Sequence, residues 1–273
     1  MLASWIGVDT HGLTSAYIMS DSRLSWKLGK VYKTFDYGRK VFASNLYPEV
    51  FGYAGDVLFP SIVLSRIVDM IDADVLINQH MSCAEKSCRI FDVLSRELQE
   101  YPDDCISETI QIIHISRETI VEGYPRFAVY SYFWRKTNGW TQKEEEIPTK
   151  SGLLMVLGSG ERDFREKYKK YANGYNSNTS RNVFHCFINA LMHTTDIHCG
   201  GAPQLVGIYR KPESHGMSFG LIYNDKRYFL GSEIIDIDNY KKIPWRNDLF
   251  EICDGKNKTI THGAQRQPDI LRN

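Results

Sequence analysis

No stretch of this chain is apolar for long enough to cross a membrane as a helix. The densest run, Leu153-Leu154-Met155-Val156-Leu157, is only five residues. The first nine residues carry no basic segment followed by an apolar one, so a secretory leader is not expected. Net charge is also missing: 33 basic side chains balance 33 acidic ones. Without a basic field the chain has no electrostatic hold on nucleic acid or on an anionic membrane surface. A neutral surface does little to oppose self-association either. The six cysteines, Cys83, Cys88, Cys105, Cys186, Cys199 and Cys253, show no CxxC spacing and read as reduced thiols of a cytoplasmic protein rather than as a disulfide framework. Internal repeats, low-complexity segments and linkers are absent, so a single domain over 1–273 is expected. Its core spans 4–242, and a polar, weakly patterned C-terminal extension covers 243–273.

What is present is a switch of period. Short apolar segments at Ser4–Val8, Leu13–Met19, Lys30–Phe35, Lys40–Ser44 and Val50–Ala54 are separated by turn residues and read as strands, with a hairpin expected around Asp36-Tyr37-Gly38. Val57, Ser61, Leu64, Val68 and Ile71 then fall at helical spacing behind Asp56. Ser82 and Glu85 form a capping-box pattern ahead of the stripe Ile90, Phe91, Leu94 and Leu98. Strands return at Thr109–Ser116 and Arg126–Arg135, and Asn138-Gly139 turns the latter into Trp140–Ile147. Leu153–Leu157 precedes two more helices, Glu161–Ala172 and Arg181–His193. Strands close the pattern at Pro203–Tyr209 and around Asn224-Asp225. Helices arriving in pairs argue against a singly alternating parallel sheet. The expectation is an α+β fold, a four-layer αββα sandwich of two antiparallel sheets flanked by helix pairs.

Several residue types invite readings that their spacing does not support. His185 and His193 stand eight apart with no ligand between them, so no metal site and no cofactor is expected, even with His198 and Cys199 nearby. Glu144-Glu145-Glu146 and the basic Arg165–Lys170 stretch read as solvated faces. Phe127, Tyr130, Tyr132, Phe133 and Trp134 read as sheet packing, since they lack the basic support of a base-stacking platform.

Six short motifs occur in one order. They are Ser4-Trp5-Ile6-Gly7-Val8, Ser20-Asp21-Ser22-Arg23, Lys30-Val31, Gly52-Tyr53-Ala54-Gly55-Asp56, Gly158-Ser159-Gly160 and Asp196-Ile197-His198-Cys199-Gly200-Gly201. In this order, each at a strand end or a strand-to-helix junction, they resemble the proteasome β-type subunits and their bacterial relatives of the N-terminal-nucleophile hydrolase superfamily. The resemblance spans residues 4 to about 230 and implies a peptidase housed in a homo-oligomeric ring. By it, Ser4 is the nucleophile and its freed α-amine takes part in proton transfer, as an amine with an ordinary pKa of about 7.7–8.0 can. Lys30 activates the Ser4 hydroxyl, Asp21 pairs with that lysine, and the Gly55 amide is the oxyanion donor. Ser159, Asp196 and Cys199 form an outer ring of hydrogen bonds. Lys33 competes with Lys30, one strand repeat away. A peptide or protein substrate and an ATPase unfoldase partner are implied by the resemblance alone.

The chain departs from that family in having serine in place of the usual threonine, and cysteine at Cys199 in place of serine. The loop between Asp21 and Lys30 is short. Met1-Leu2-Ala3 also precedes Ser4, so exposing its amine needs cleavage at Ala3-Ser4. Two other readings therefore stand beside the peptidase: a catalytically silent ring or scaffold subunit, and a small-molecule amidase on the same fold.

Overall fold

The structure is a computed structural model of the chain and describes residues 1–102, 105–106, 109–118, 124–174, 176–236 and 238–268. Its first strands are β1 (Leu2–Asp9), β2 (Gly12–Ser20), β3 (Leu24–Leu28), β4 (Val31–Phe35), β5 (Val41–Ala43) and β6 (Glu49–Gly55). Helices α1 (Leu58–Asp72) and α2 (Cys83–Gln99) follow, then β7 (Thr109–Arg117), β8 (Phe127–Arg135), β9 (Gly139–Glu144) and β10 (Gly152–Leu157). After α3 (Glu161–Ala172) and α4 (Ser180–Met192) come β11 (Gln204–Tyr209), β12 (Met217–Tyr223), β13 (Lys226–Phe229), β14 (Ser232–Glu233), β15 (Trp245–Arg246), β16 (Ile252–Asp254) and β17 (Thr259–Ile260).

The expected four-layer αββα sandwich of two antiparallel sheets is corrected here. Among the described residues the strands form three sheets, of ten, two and five strands, with four helices, so the fold is mostly β. The ten-stranded sheet is mixed, because β12 and β15 run parallel while its other pairings are antiparallel. The two-stranded sheet is the hairpin β3–β4, closed by the Gly29-Lys30 turn. The hairpin expected around Asp36-Tyr37-Gly38 does not form, since β4 pairs with β3 and β5 pairs with β6 in the five-stranded sheet. Of the segment expected as a polar extension, Trp245, Leu249, Phe250 and Cys253 are buried and β15–β17 lengthen the ten-stranded sheet. Residues 269–273 of that segment lie outside the described ones.

Strand parity sorts the core. Alternate residues of a strand point to opposite faces. In β1, Leu2 and Ile6 pack with Ile18, Val50, Ile113 and Val129 between the two larger sheets. Met1, Ala3 and Trp5 pack with Tyr17, Met19 and Leu205 against Phe164, Phe184 and Phe187 of α3 and α4. On the far face of the five-stranded sheet, Phe51, Tyr53, Ile112 and Tyr132 meet the apolar stripes of α1 and α2. The capping box of α2 is complete, with the Ser82 hydroxyl accepting the Glu85 amide and the Glu85 carboxylate accepting the Ser82 amide. Asp56 accepts the Phe59 amide at 3.3 Å at the start of α1. A buried ionic cluster ties α2 to the same sheet: Lys86 Nζ lies 2.7 Å from Glu49 Oε1, and His114 Nε2 lies 2.7 Å from Glu49 Oε2. Among the described residues no helix is long and apolar enough to cross a membrane.

Candidate functional site

The β1–β2 hairpin sets the site. Its register pairs Leu2 with Ser20, which puts residue 1 beside Asp21 at the open end of the hairpin. The Met1 α-amine donates to Asp21 Oδ1 at 2.8 Å, and the Asp21 amide donates back to the Met1 carbonyl at 3.2 Å. Lys40 Nζ reaches the same Oδ1 at 3.0 Å. The amides of Arg23 and Gly200 donate to Oδ2 at 3.1 and 3.0 Å. Asp21 is wholly buried, and burial pushes its carboxyl up. Lys40, then the Met1 amine, outweigh that and hold it below the usual carboxylate range.

A second arc closes on the other side of the amine. The Cys199 thiol lies 3.4 Å from the Met1 nitrogen, 3.3 Å from Asp196 Oδ2 and 3.7 Å from the Ser159 hydroxyl. Burial pushes that thiol up, which works against its acting as a thiolate. The Asp196 carboxyl, raised by burial, is held low overall by the Ser159 hydroxyl and by the His198 amide, which donates at 2.9 Å.

Two glycines make the closeness possible. A Cβ at Gly160 would stand 3.0 Å from both Cys199 Sγ and Met1 Cβ. Gly55 ends β6 with φ +89°, and a Cβ there would meet the Thr109 carbonyl at 2.4 Å, so only glycine fits. Above this floor opens a pocket of about 260 Å³ whose walls include Met1, Ser20, Lys40, Gly55, Ser159 and His198.

The structure therefore brings together Asp21, Gly55, Ser159, Asp196 and Cys199, and leaves Ser4 and Lys30 out. Ser4 lies three positions along β1 from residue 1, roughly 10 Å at the usual rise per residue. It stands on the opposite face, with Leu2 and Ile6. It is completely buried there, and among the described residues its hydroxyl has no hydrogen-bond partner. The residue at the centre of the site is Met1, which offers a thioether rather than a hydroxyl. Lys30 sits exposed in the β3–β4 turn, and Lys33 is exposed on β4. The lysine paired with Asp21 is Lys40, a correction with a traceable cause. Lys40-Val41 repeats the lysine–aliphatic pattern of Lys30-Val31, and the β3–β4 hairpin carries the first copy out to its exposed turn while the second reaches Asp21. The shortness of the Asp21–Lys30 loop was the signal for this. Among the described residues no group of three or more His, Cys, Asp or Glu side chains is placed to hold a metal ion.

No protein-family model and no curated protein matches the chain. Among solved structures, the fold is similar to the Anbu complex from Pseudomonas aeruginosa, described as a helical assembly, with a TM-score of 0.55 and 15% identity over 88% of this chain and 89% of that one. Anbu from Yersinia bercovieri, described as an ancestral beta-subunit, gives 0.48 and 10% over 85% and 88%. Anbu from Hyphomicrobium sp. strain MC1 gives 0.46 and 10% over 80% and 87%. At this identity the first likeness speaks to fold alone. It corrects the resemblance drawn from the motifs: the matched fold is that of Anbu proteins, a family distinct from the proteasome β-type subunits.

Proposed function

We propose that this chain is a self-associating subunit of an Anbu-like assembly, and that it does not cleave peptides through Ser4. The observation that carries the second half is the placement of Met1 at the charged centre while Ser4 is buried on the opposite face of β1. Nucleophilic attack needs a hydroxyl or thiol within hydrogen-bond reach of a base and of the pocket. Cleavage at Ala3-Ser4 would break the pairing of Ala3 with Met19 and Val156. It would also take the Met1 amine away from Asp21. The first half is supported by the fold likeness to a protein that forms a helical assembly.

The test combines mass with chemistry. Purified chain should scatter light as a multiple of 31.5 kDa, keep residues 1–3 in its intact mass, and form no adduct with a peptide boronate or epoxyketone. A stoichiometric adduct at Ser4, with residues 1–3 lost, would restore the self-processing peptidase. A strict monomer at micromolar concentration would remove the assembly half.

A further inference from the structure

The β3–β4 hairpin is amphipathic the wrong way out. Its register pairs Leu24 with Phe35, Trp26 with Lys33 and Leu28 with Val31 on one face. Ser25 with Thr34 and Lys27 with Tyr32 share the other. The polar face meets the body of the protein through Ser25 and Tyr32. The Ser25 hydroxyl lies 2.8 Å from His198 Nδ1, and the Tyr32 ring packs edge-on against that imidazole at 4.7 Å. The apolar face looks outward, leaving Trp26, Leu28, Val31 and Phe35 at 46, 62, 58 and 48% exposed. Four such side chains, half uncovered, present roughly 400 Å² of apolar surface, as much as the largest patch on a typical monomer. That is about half of what each partner buries in a standard interface, roughly 800 Å². The hairpin is thus large enough to be the centre of a contact.

Charge says what the other side must look like. Residues 24–35 hold Lys27, Lys30 and Lys33 and no acid. A matching surface must be apolar and acidic, and the chain carries one. On α1, Leu58 and Ile62 are 56 and 48% exposed, and Asp69 continues their stripe at helical spacing. The helix has no basic residue in its last turn, Arg66 is tied to Glu97, and Asp72, Asp74 and the 67%-exposed Val75 follow. We propose that the outer face of the β3–β4 hairpin docks on the exposed stripe of α1 in a second copy of this chain, Lys33 of that face and Lys30 of the turn meeting Asp69 and Asp74. The inference rests on the self-association proposed above and names its surfaces.

Two double variants, each altering only exposed side chains, test it: Trp26→Ser with Leu28→Ser, and Leu58→Ser with Ile62→Ser. Circular dichroism and thermal melting verify folding. Each variant alone should lose at least half of the parent's scattering mass. Mixed in equal amounts they should form a dimer, because each supplies the surface the other has lost. A variant that keeps the parental mass overturns the proposal, as does a mixture that stays monomeric. A parent that is itself monomeric fails the self-association reading first, so the two failures are distinguishable.

Discussion

Asp21 is the residue on which the site turns. It accepts from two cations and two amides in a fully buried position. Removing one member of such a cluster leaves a buried charge undercompensated, which costs about 3–5 kcal/mol. Lys40→Ala should therefore lower the urea-derived stability by several kcal/mol. Lys30→Ala, out in the hairpin turn, should change it by less than about 0.5 kcal/mol. Equal effects of the two substitutions would place the paired lysine elsewhere. The same carboxylate sets a pH dependence. Its folded value is depressed, so its stabilisation is complete above the unfolded carboxylate value of about 3.9 and is lost as pH falls through the lower folded value. An acid titration of stability should lose this component in Asp21→Asn, and an unchanged acid limb would count against it.

At the scale of elements, α2 is held to the five-stranded sheet by more than its apolar stripe. Glu49 is buried, and burial raises its carboxyl. Lys86, then His114, outweigh that and keep it low. The His114 ring also reaches the Tyr132 hydroxyl at 2.9 Å, and the Ser116 hydroxyl donates to Glu49 at 3.0 Å. A lone Lys86→Met change leaves that fully buried carboxylate without the ammonium 2.7 Å away, at a cost of about 3–5 kcal/mol. Replacing Lys86 and Glu49 together by Met and Gln should recover part of the loss. A double variant no more stable than Lys86→Met in a denaturant titration would show that the pair is not what couples helix to sheet.

Over the whole molecule, the C-terminal strands close one side of the core. Phe250 stacks obliquely on Phe184 at 4.7 Å and meets Tyr17 and Trp5 edge-on at 5.5 and 6.3 Å. Its own backbone is left-handed at φ +64°, an arrangement a bulky residue keeps only when its surroundings impose it. Phe250→Ala should cost about 3–5 kcal/mol as a large-to-small core change. Truncation after Lys242 should expose the Trp5–Tyr17–Phe184 cluster and raise binding of an apolar dye. A truncated chain that melts like the parent would show the C-terminal strands to be dispensable cover.

Much of this was legible in the sequence because it is local. The α2 capping box lies within four residues, and the strand and helix periods need only their own segment. Asp21, Gly55, Ser159, Asp196 and Cys199 each sit at a turn whose chemistry marks them, and the fold gathers them. What the sequence could not decide was non-local. Which lysine reaches Asp21 depends on β5, rather than β4, entering the five-stranded sheet. Which face of β1 carries Ser4 depends on strand parity, and a shift of one residue reverses it. That register comes from pairing with Ser20 and Leu157, partners about 20 and 155 residues away whose alignment no local pattern records. The outward apolar face of β3–β4 is of the same kind. Alternation made the hairpin amphipathic, and only the packing of Ser25 and Tyr32 on His198 decided that its apolar side faces solvent.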